Sequence, residues 1–212
     1  MTAARRRVAV LGTGVVGRTL AERLTELGHD VVLGSRTATS DAVRTFAQAA
    51  AHGEVLVNAT AGVASVEALS MAGARNLAGK PLLDVANALD GSAGFPPRVL
   101  ASDSQSLAER IQAAFPAALV VKSLNTMTAA VMVRPRRLAG RHVNFMAGND
   151  DGAKAVIGEL LGEFGWEPDE LVDLGDLSGA RGMELYLPLW LRIFQHLDDP
   201  MFNLSVARVP GS

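Results

Sequence analysis

Apolar positions recur along this chain with two alternating periods. Residues 8–11 form an unbroken apolar run, Val8, Ala9, Val10 and Leu11, suited to a strand buried on both faces. Immediately beyond it, Val16, Leu20, Leu24 and Leu27 follow at three- and four-residue spacing and line up one face of a helix. Gly28 is placed to cap that helix, and a second strand is predicted at 31–33. The same reasoning predicts strands at 55–59, 81–85, 118–121 and 142–147, with helices at 41–51, 66–77 and 107–115. Strands alternating with helices predict an α/β fold, a parallel sheet wound on both faces by helices.

After position 147 the pattern changes. Asn149 or Asp150 is placed to cap a helix whose apolar face is Val156, Ile157, Leu160, Leu161 and Phe164, and Gly165 ends it. Further on, Leu185, Leu187, Leu189, Trp190, Leu191, Ile193 and Phe194 crowd one short stretch. A helix apolar on nearly every side is expected to be buried, under the sheet or against another subunit. Pro188 fits its first turn or a kink. Residues 91–97 and 102–106 are expected to be loops. The expected organisation is therefore a domain at 1–147 and a small, mostly helical region at 148–212, packed on the first and on the partner in a homodimer.

The 212 residues are 49% hydrophobic and 20% charged, which excludes a disordered chain. Acidic and basic residues nearly cancel, 22 against 20, so no bulk field attracts nucleic acid or anionic lipid. The absence of cysteine removes disulfides, thiolate nucleophiles, Fe–S clusters and zinc–thiolate sites together. Arg5, Arg6 and Arg7 precede an apolar run in the manner of a leader. Gly12, Thr13, Gly14 and Gly17 interrupt that run, however, and Arg18 closes it. No window reaches the roughly 18 apolar residues of a membrane span. A soluble, cytoplasmic protein without nucleic-acid or membrane partners is expected.

Gly12-Thr13-Gly14-Val15-Val16-Gly17 matches the G-x-G-x-x-G pattern of dinucleotide binding, in the strand-then-helix setting that gives the pattern meaning. Gly12 permits the tight turn, Gly14 lets backbone approach a pyrophosphate, and Gly17 lets the helix pack closely on the strand. An enzyme for NAD would carry Asp or Glu at the end of the second strand, to hold the ribose 2′-hydroxyl. This chain has Gly34-Ser35-Arg36 there. Ser35 offers a hydroxyl and Arg36 a forked cation, and Thr13 can approach the same phosphate, so NADP(H) is expected.

The residues that would carry acid–base or metal chemistry are missing. The only tyrosine is Tyr186, the lysines are Lys80, Lys122 and Lys154, and no Tyr-x-x-x-Lys pair exists. His29, His52, His142 and His196 fall at no metal-ligand spacing, and His29 and His52 are expected at the solvated surface. No nucleophile elbow occurs, and no residue is assigned a catalytic or metal role. Hydride transfer between two stacked heterocycles needs orientation and little else. Such a site is built at the carboxyl ends of strands. Three small segments fall there: Ala59, Thr60, Ala61 and Gly62; Ala86, Asn87, Ala88 and Leu89; and Ser123, Leu124, Asn125, Thr126 and Met127. Their simpler role is loop formation and helix capping.

Together these blocks resemble the family of F420H2:NADP+ oxidoreductases, which use the deazaflavin coenzyme F420. The resemblance rests on residues 8–17, Gly34-Ser35-Arg36, Asn58-Ala59-Thr60-Ala61, Asp84-Val85-Ala86-Asn87, Val121-Lys122-Ser123-Leu124-Asn125-Thr126 and Ala147-Gly148-Asn149-Asp150. It continues through Asp173-Leu174-Gly175 and Ala180-Arg181 into Leu187-Pro188-Leu189-Trp190. The same domain is similar to the NADPH-oxidising part of the STEAP metalloreductases. The resemblance implies a dimeric, NADP-binding Rossmann-type domain, 2′-phosphate contacts from Thr13, Ser35 and Arg36, and a deazaflavin stacked on nicotinamide near Leu124, Asn125, Thr126 and Met127. Two departures stand out. The stretch from Arg36 to Val55 has room for one helix where the family fits a helix, a strand and another helix, so one strand on the adenine side is expected to be missing. Asn125 stands where some members carry histidine. The function expected is hydride transfer between NADP(H) and F420 or a similar planar acceptor. The alternatives are reduction of flavin or a small carbonyl or imine, or a non-catalytic NADP(H)-sensing module.

Overall fold

A computed structural model describes residues 5–100, 102 and 104–207. In chain order the elements are β1 (Arg7–Leu11), α1 (Val15–Glu26), β2 (Asp30–Ser35), β3 (Val43–Thr45), α2 (Phe46–His52) and β4 (Val55–Asn58). Next come α3 (Ser65–Ala72), α4 (Ala74–Leu77), β5 (Pro81–Asp84) and a hairpin of β6 (Leu89–Asp90) and β7 (Arg98–Val99). The chain continues through α5 (Leu107–Ala114), β8 (Leu119–Ser123), α6 (Ala129–Val133), β9 (Asn144–Gly148), α7 (Asp151–Phe164) and β10 (Leu171–Asp173). The last two helices are α8 (Ala180–Leu185) and α9 (Leu187–Leu197). Among the described residues, no helix is long and apolar enough to cross a membrane.

The main sheet has the order β10-β9-β8-β5-β4-β1-β2-β3. β1 is central, with Val8 opposite both Val31 and Val55 in parallel register. Because successive side chains of a strand point to opposite faces, Val8 and Val10 enter one core layer and Ala9 and Leu11 the other. The first layer packs under α1, α6 and α7, the second under α2, α3, α5 and α8. This is the doubly wound, Rossmann-type α/β architecture that the alternating periods predict.

Five features depart from the sequence reading. A strand is not missing after Arg36: β3 pairs with β2, Leu33 opposite Val43 and Ser35 opposite Thr45. What is absent is the helix between them, replaced by a loop closed by the Ser40–Val43 bridge. The helix expected at 41–51 accordingly starts at Phe46, because Thr45 and Gln48 form a capping box, with Gln48 N–H donating to Thr45 Oγ1 at 3.2 Å. The helix expected at 66–77 breaks at Gly73, whose φ of +88° turns the chain between α3 and α4. The sheet is not wholly parallel, since β9 runs antiparallel to β8. At five residues, α6 rises only about 7.5 Å, too little to return the chain to the opposite edge of the sheet. Finally, β10 was not anticipated, nor were the short strands β6 and β7 that flank residues 91–97, which form a loop as expected. Position 103 and positions 208–212, which fall in the loop and C-terminal region read above, lie outside the described residues.

The terminal helices are also less buried than their composition suggests. Of α9, Leu187 and Leu191 are buried, an i, i+4 stripe, while Leu189 is 55% and Leu197 50% exposed. Pro188 does sit in the first turn. His29, expected at the surface, is buried: its Nδ1 accepts from Arg6 N–H at 3.2 Å and its Nε2 lies 2.9 Å from Glu163. His52 is half-buried, 3.3 Å from Asp30.

Candidate functional site

The carboxyl ends of β1, β4, β5 and β8 converge on one cleft. At its start Gly12 takes φ +122°, and a Cβ there would lie 2.4 Å from the Ala59 carbonyl oxygen. A Cβ on Gly17 would lie 2.1 Å from the Gly12 carbonyl oxygen, so α1 can approach β1 only with glycine at that place. Gly14 differs: it caps α1 without a side-chain bond, and nothing stands within 4 Å of its would-be Cβ. The first two glycines serve packing, and the third leaves backbone open at a helix N-terminus.

Two cavities, each of about 330 Å³, share Ala59, Thr60 and Ala61 as a common wall. One is lined by Gly12, Thr13, Gly14 and Arg36, with Phe46 and Met71 among its apolar residues. Arg36 is exposed and has no hydrogen bond or ion pair within the described residues. The Ser35 hydroxyl is turned into its own loop, donating to the Thr37 carbonyl and accepting from Thr37 N–H at 3.2 Å. The second cavity is lined by Val16, Ala86, Asn87, Asn125, Met127 and, from α9, Leu187, Trp190 and Leu191. Val15 and Gly17, together with Ala88, Leu124 and Thr126, line neither, and Val15 is 78% exposed.

Asn87 and Asn125 are locked together. Asn87 Nδ2 donates to the Asn125 carbonyl at 2.7 Å, and Asn125 Nδ2 donates to Asn87 Oδ1 at 3.0 Å. Asn125 Nδ2 also donates to the Met183 carbonyl at 3.1 Å, which ties α8 to the cleft. The remaining Asn125 oxygen, Oδ1, is buried without a partner among the described residues. Just before this residue, Leu124 adopts φ +63°, a left-handed conformation costly for a branched side chain.

Beneath the cleft lies a polar network that the sequence reading did not assign. Asn58 Nδ2 donates to Asp84 Oδ1 at 2.8 Å and to Ser65 Oγ at 3.1 Å, and Thr60 Oγ1 donates to Asn58 Oδ1 at 2.7 Å. Lys122, wholly buried, lies 2.9 Å from Asp84 Oδ2 and 2.9 Å from Glu184 Oε1, and donates to the Ala86 carbonyl. Burial alone pushes the Lys122 ammonium down, but the two carboxylates outweigh it and hold it above the ordinary lysine value. A usable signal was present: Asp84 and Lys122 each interrupt an apolar strand of the sheet's interior, where a charge must find a partner. Glu184 carried no such signal.

The match to the family model for coenzyme F420-dependent NADP oxidoreductases covers residues 7–88. A crystal structure from Arthrobacter sp. FB24, provisionally named an F420-dependent NADP reductase, is 45% identical. It superposes with a TM-score of 0.89 and covers 96% of this chain and 100% of that one. Rat metalloreductase STEAP3 is 31% identical over 201 residues, 87% of this chain but 38% of that protein, so the chain spans well under half the length of this curated relative. An imine reductase from Aspergillus terreus, 19% identical with a TM-score of 0.63, shares the fold over 92% of this chain and 64% of its own. With 45% identity along the whole of the Arthrobacter protein, and with the glycine turn inside the matched segment, the chain belongs to the family of coenzyme F420-dependent NADP oxidoreductases.

Proposed function

We propose that this protein transfers hydride between NADP(H) and a deazaflavin such as coenzyme F420, or a similar planar acceptor. The observation that carries the reading is the paired cavity. An end built from the glycine turn, with Arg36 and Glu67 as its charged lining residues, adjoins an end whose lining residues are all uncharged. The first end fits a phosphorylated adenosine: Gly14 leaves room for the diphosphate, and the unpartnered Arg36 guanidinium meets a 2′-phosphate. Thr13 and Ser35 are assigned to the same phosphate, Ser35 after release from Thr37. Gly12, Val15, Val16 and Gly17 shape the turn; Ala59, Thr60, Ala61, Ala86, Asn87 and Ala88 shape the floor along the dinucleotide. Asn125 and Met127 hold the acceptor side, with buried Leu124 and Thr126 shaping the segment that carries them. When bound, NADPH supplies the hydride; the protein supplies orientation and exclusion of water.

This reading assigns no proton donor, since no residue lining the ring cavity is an acid or base. It takes residues 1–147 as the nucleotide-binding domain and 148–212 as the region that closes the cleft through α9. It also takes the exposed leucines of α9 as part of a homodimer surface. The decisive experiment mixes protein, NADPH and F420 and follows absorbance near about 340 and 420 nm. Coupled loss at both bands is expected, and the reverse mixture of NADP+ with reduced F420 should gain at both. Tight NADPH binding without turnover would instead favour a sensing module. Carbonyl or imine reduction would need an acid such as Tyr186, whose phenol burial pushes up and which has no hydrogen-bond partner among the described residues. Tyr186→Phe should leave F420 turnover unaltered.

A further inference from the structure

The buried ion cluster under the cleft has no part in the proposed transfer, and its charges do not balance. Lys122 is shared by Asp84 and Glu184, each at 2.9 Å and each at most 1% exposed, so two carboxylates face one ammonium. The surplus oxygens are satisfied by neutral donors. Asn58 Nδ2 and Ala86 N–H reach Asp84 Oδ1 at 2.8 and 3.2 Å, while Leu107 and Ala108 N–H, opening α5, reach the Glu184 carboxylate at 2.8 and 3.2 Å. Such bonds make burial tolerable without cancelling the formal charge, and one negative charge is left inside the fold.

That charge adjoins the uncharged cavity on two sides. Asp84 Oδ1 accepts from Ala86 N–H, Lys122 donates to the Ala86 carbonyl, and Ala86 and Asn87 line the floor. Glu184 lies three residues before Leu187, which with Trp190 and Leu191 forms part of the wall. Because no lining residue is charged, nothing at the cavity surface offsets the field from below. In a cavity walled by apolar atoms such a field is weakly screened.

We propose that the unbalanced carboxylate pair sets the redox preference of the cleft, favouring the oxidised, cationic nicotinamide over the reduced, neutral one. The oxidised ring carries a positive charge that the reduced ring lacks, so a fixed negative charge stabilises one form selectively. Bound NADPH is thereby a stronger reductant than NADPH in water. The inference rests on reading this cavity as the nicotinamide pocket.

The test is the ratio of dissociation constants for NADP+ and NADPH, measured by calorimetry on the full-length protein. Glu184→Gln and Asp84→Asn each remove one negative charge, from different elements, so whichever folds suffices. Each is expected to weaken NADP+ relative to NADPH by about fivefold. At about 30 mV per decade for a two-electron couple, that corresponds to about 20 mV. The double variant Lys122→Met/Glu184→Gln disturbs more contacts but restores the excess of one negative charge, and its ratio should return to that of the wild type. A ratio unmoved by either single variant, or moved as far by the double variant, overturns the proposal. If the wild type binds neither nucleotide, the reading of the cleft itself fails, which these same titrations reveal before any variant is made.

Discussion

Arg36 bears the nucleotide preference in a form that a single substitution isolates. It is exposed, unpartnered within the described residues, and part of the lining of the glycine-turn cavity. Arg36→Ala should therefore leave the fold intact and weaken NADPH roughly 10- to 100-fold, with NADH affinity unchanged, as titration of both nucleotides would show. Equal losses for the two would remove Arg36 from the 2′-phosphate. This residue was legible in the sequence because its signal is local: a basic residue following a strand end that lacks an acid. The ion cluster of Asp84, Lys122 and Glu184 was not, because it is assembled from β5, β8 and α8 and only the fold brings those elements together. Asn125 lies between these cases. Its position was legible as a strand end, whereas its locked pairing with Asn87 and Met183 depends on two distant segments.

At the scale of elements, the glycine turn joins three residues of one type with different physical roles, and two substitutions separate them. Gly17→Ala sets a methyl 2.1 Å from a backbone carbonyl, and α1 must shift away from β1 to accommodate it. A cost of about 2 kcal/mol is expected, lowering Tm by roughly 4–8 °C in thermal unfolding. Gly14→Ala meets nothing within 4 Å, so Tm should hold while NADPH affinity falls, because the methyl occupies the space left for the diphosphate. If Gly14→Ala bound NADPH as well as the wild type, the turn would be structural alone. Elements of this kind, where periodicity and caps agree, were readable: β1, α1 and α7 formed as expected, the last with Asp150 accepting from Ala153 N–H at 2.7 Å and Gly165 left-handed. Less readable were β3 and α6. Three residues are too few to show a period, and Val43, Arg44 and Thr45 become a strand only because β2 offers an unpaired edge.

At the scale of the whole molecule, α8 packs on β9 and α5 and carries α9 with it, and these terminal helices set how the protein assembles and how it tolerates acid. The exposed Leu189 and Leu197 of α9 should make the wild type sediment as a dimer and Leu189→Glu/Leu197→Glu as a monomer. A wild type that runs as a monomer would remove the homodimer from the proposed function. Acid acts at a different seam. Arg181 of α8 grips Glu109 of α5 through Nε at 2.9 Å and Nη2 at 2.6 Å, and Glu109 also accepts from Ser106 N–H at 2.7 Å. The Arg181 bond foremost, with the Ser106 donors, holds the Glu109 carboxyl at about 2, against an ordinary 4.5. A carboxyl depressed in the folded state favours folding while ionised. Its contribution is complete above pH 4.5 and drains away as pH falls toward 2. Glu109→Gln should therefore melt below the wild type at pH 7, with a gap that narrows from pH 4.5 downward and closes near pH 2, in parallel unfolding scans of the two proteins. Partial exposure of the pair keeps that gap to a few degrees. A gap of constant size across the range would mean that the side chain contributes by packing, and that charge does not fasten the C-terminal helices to α5.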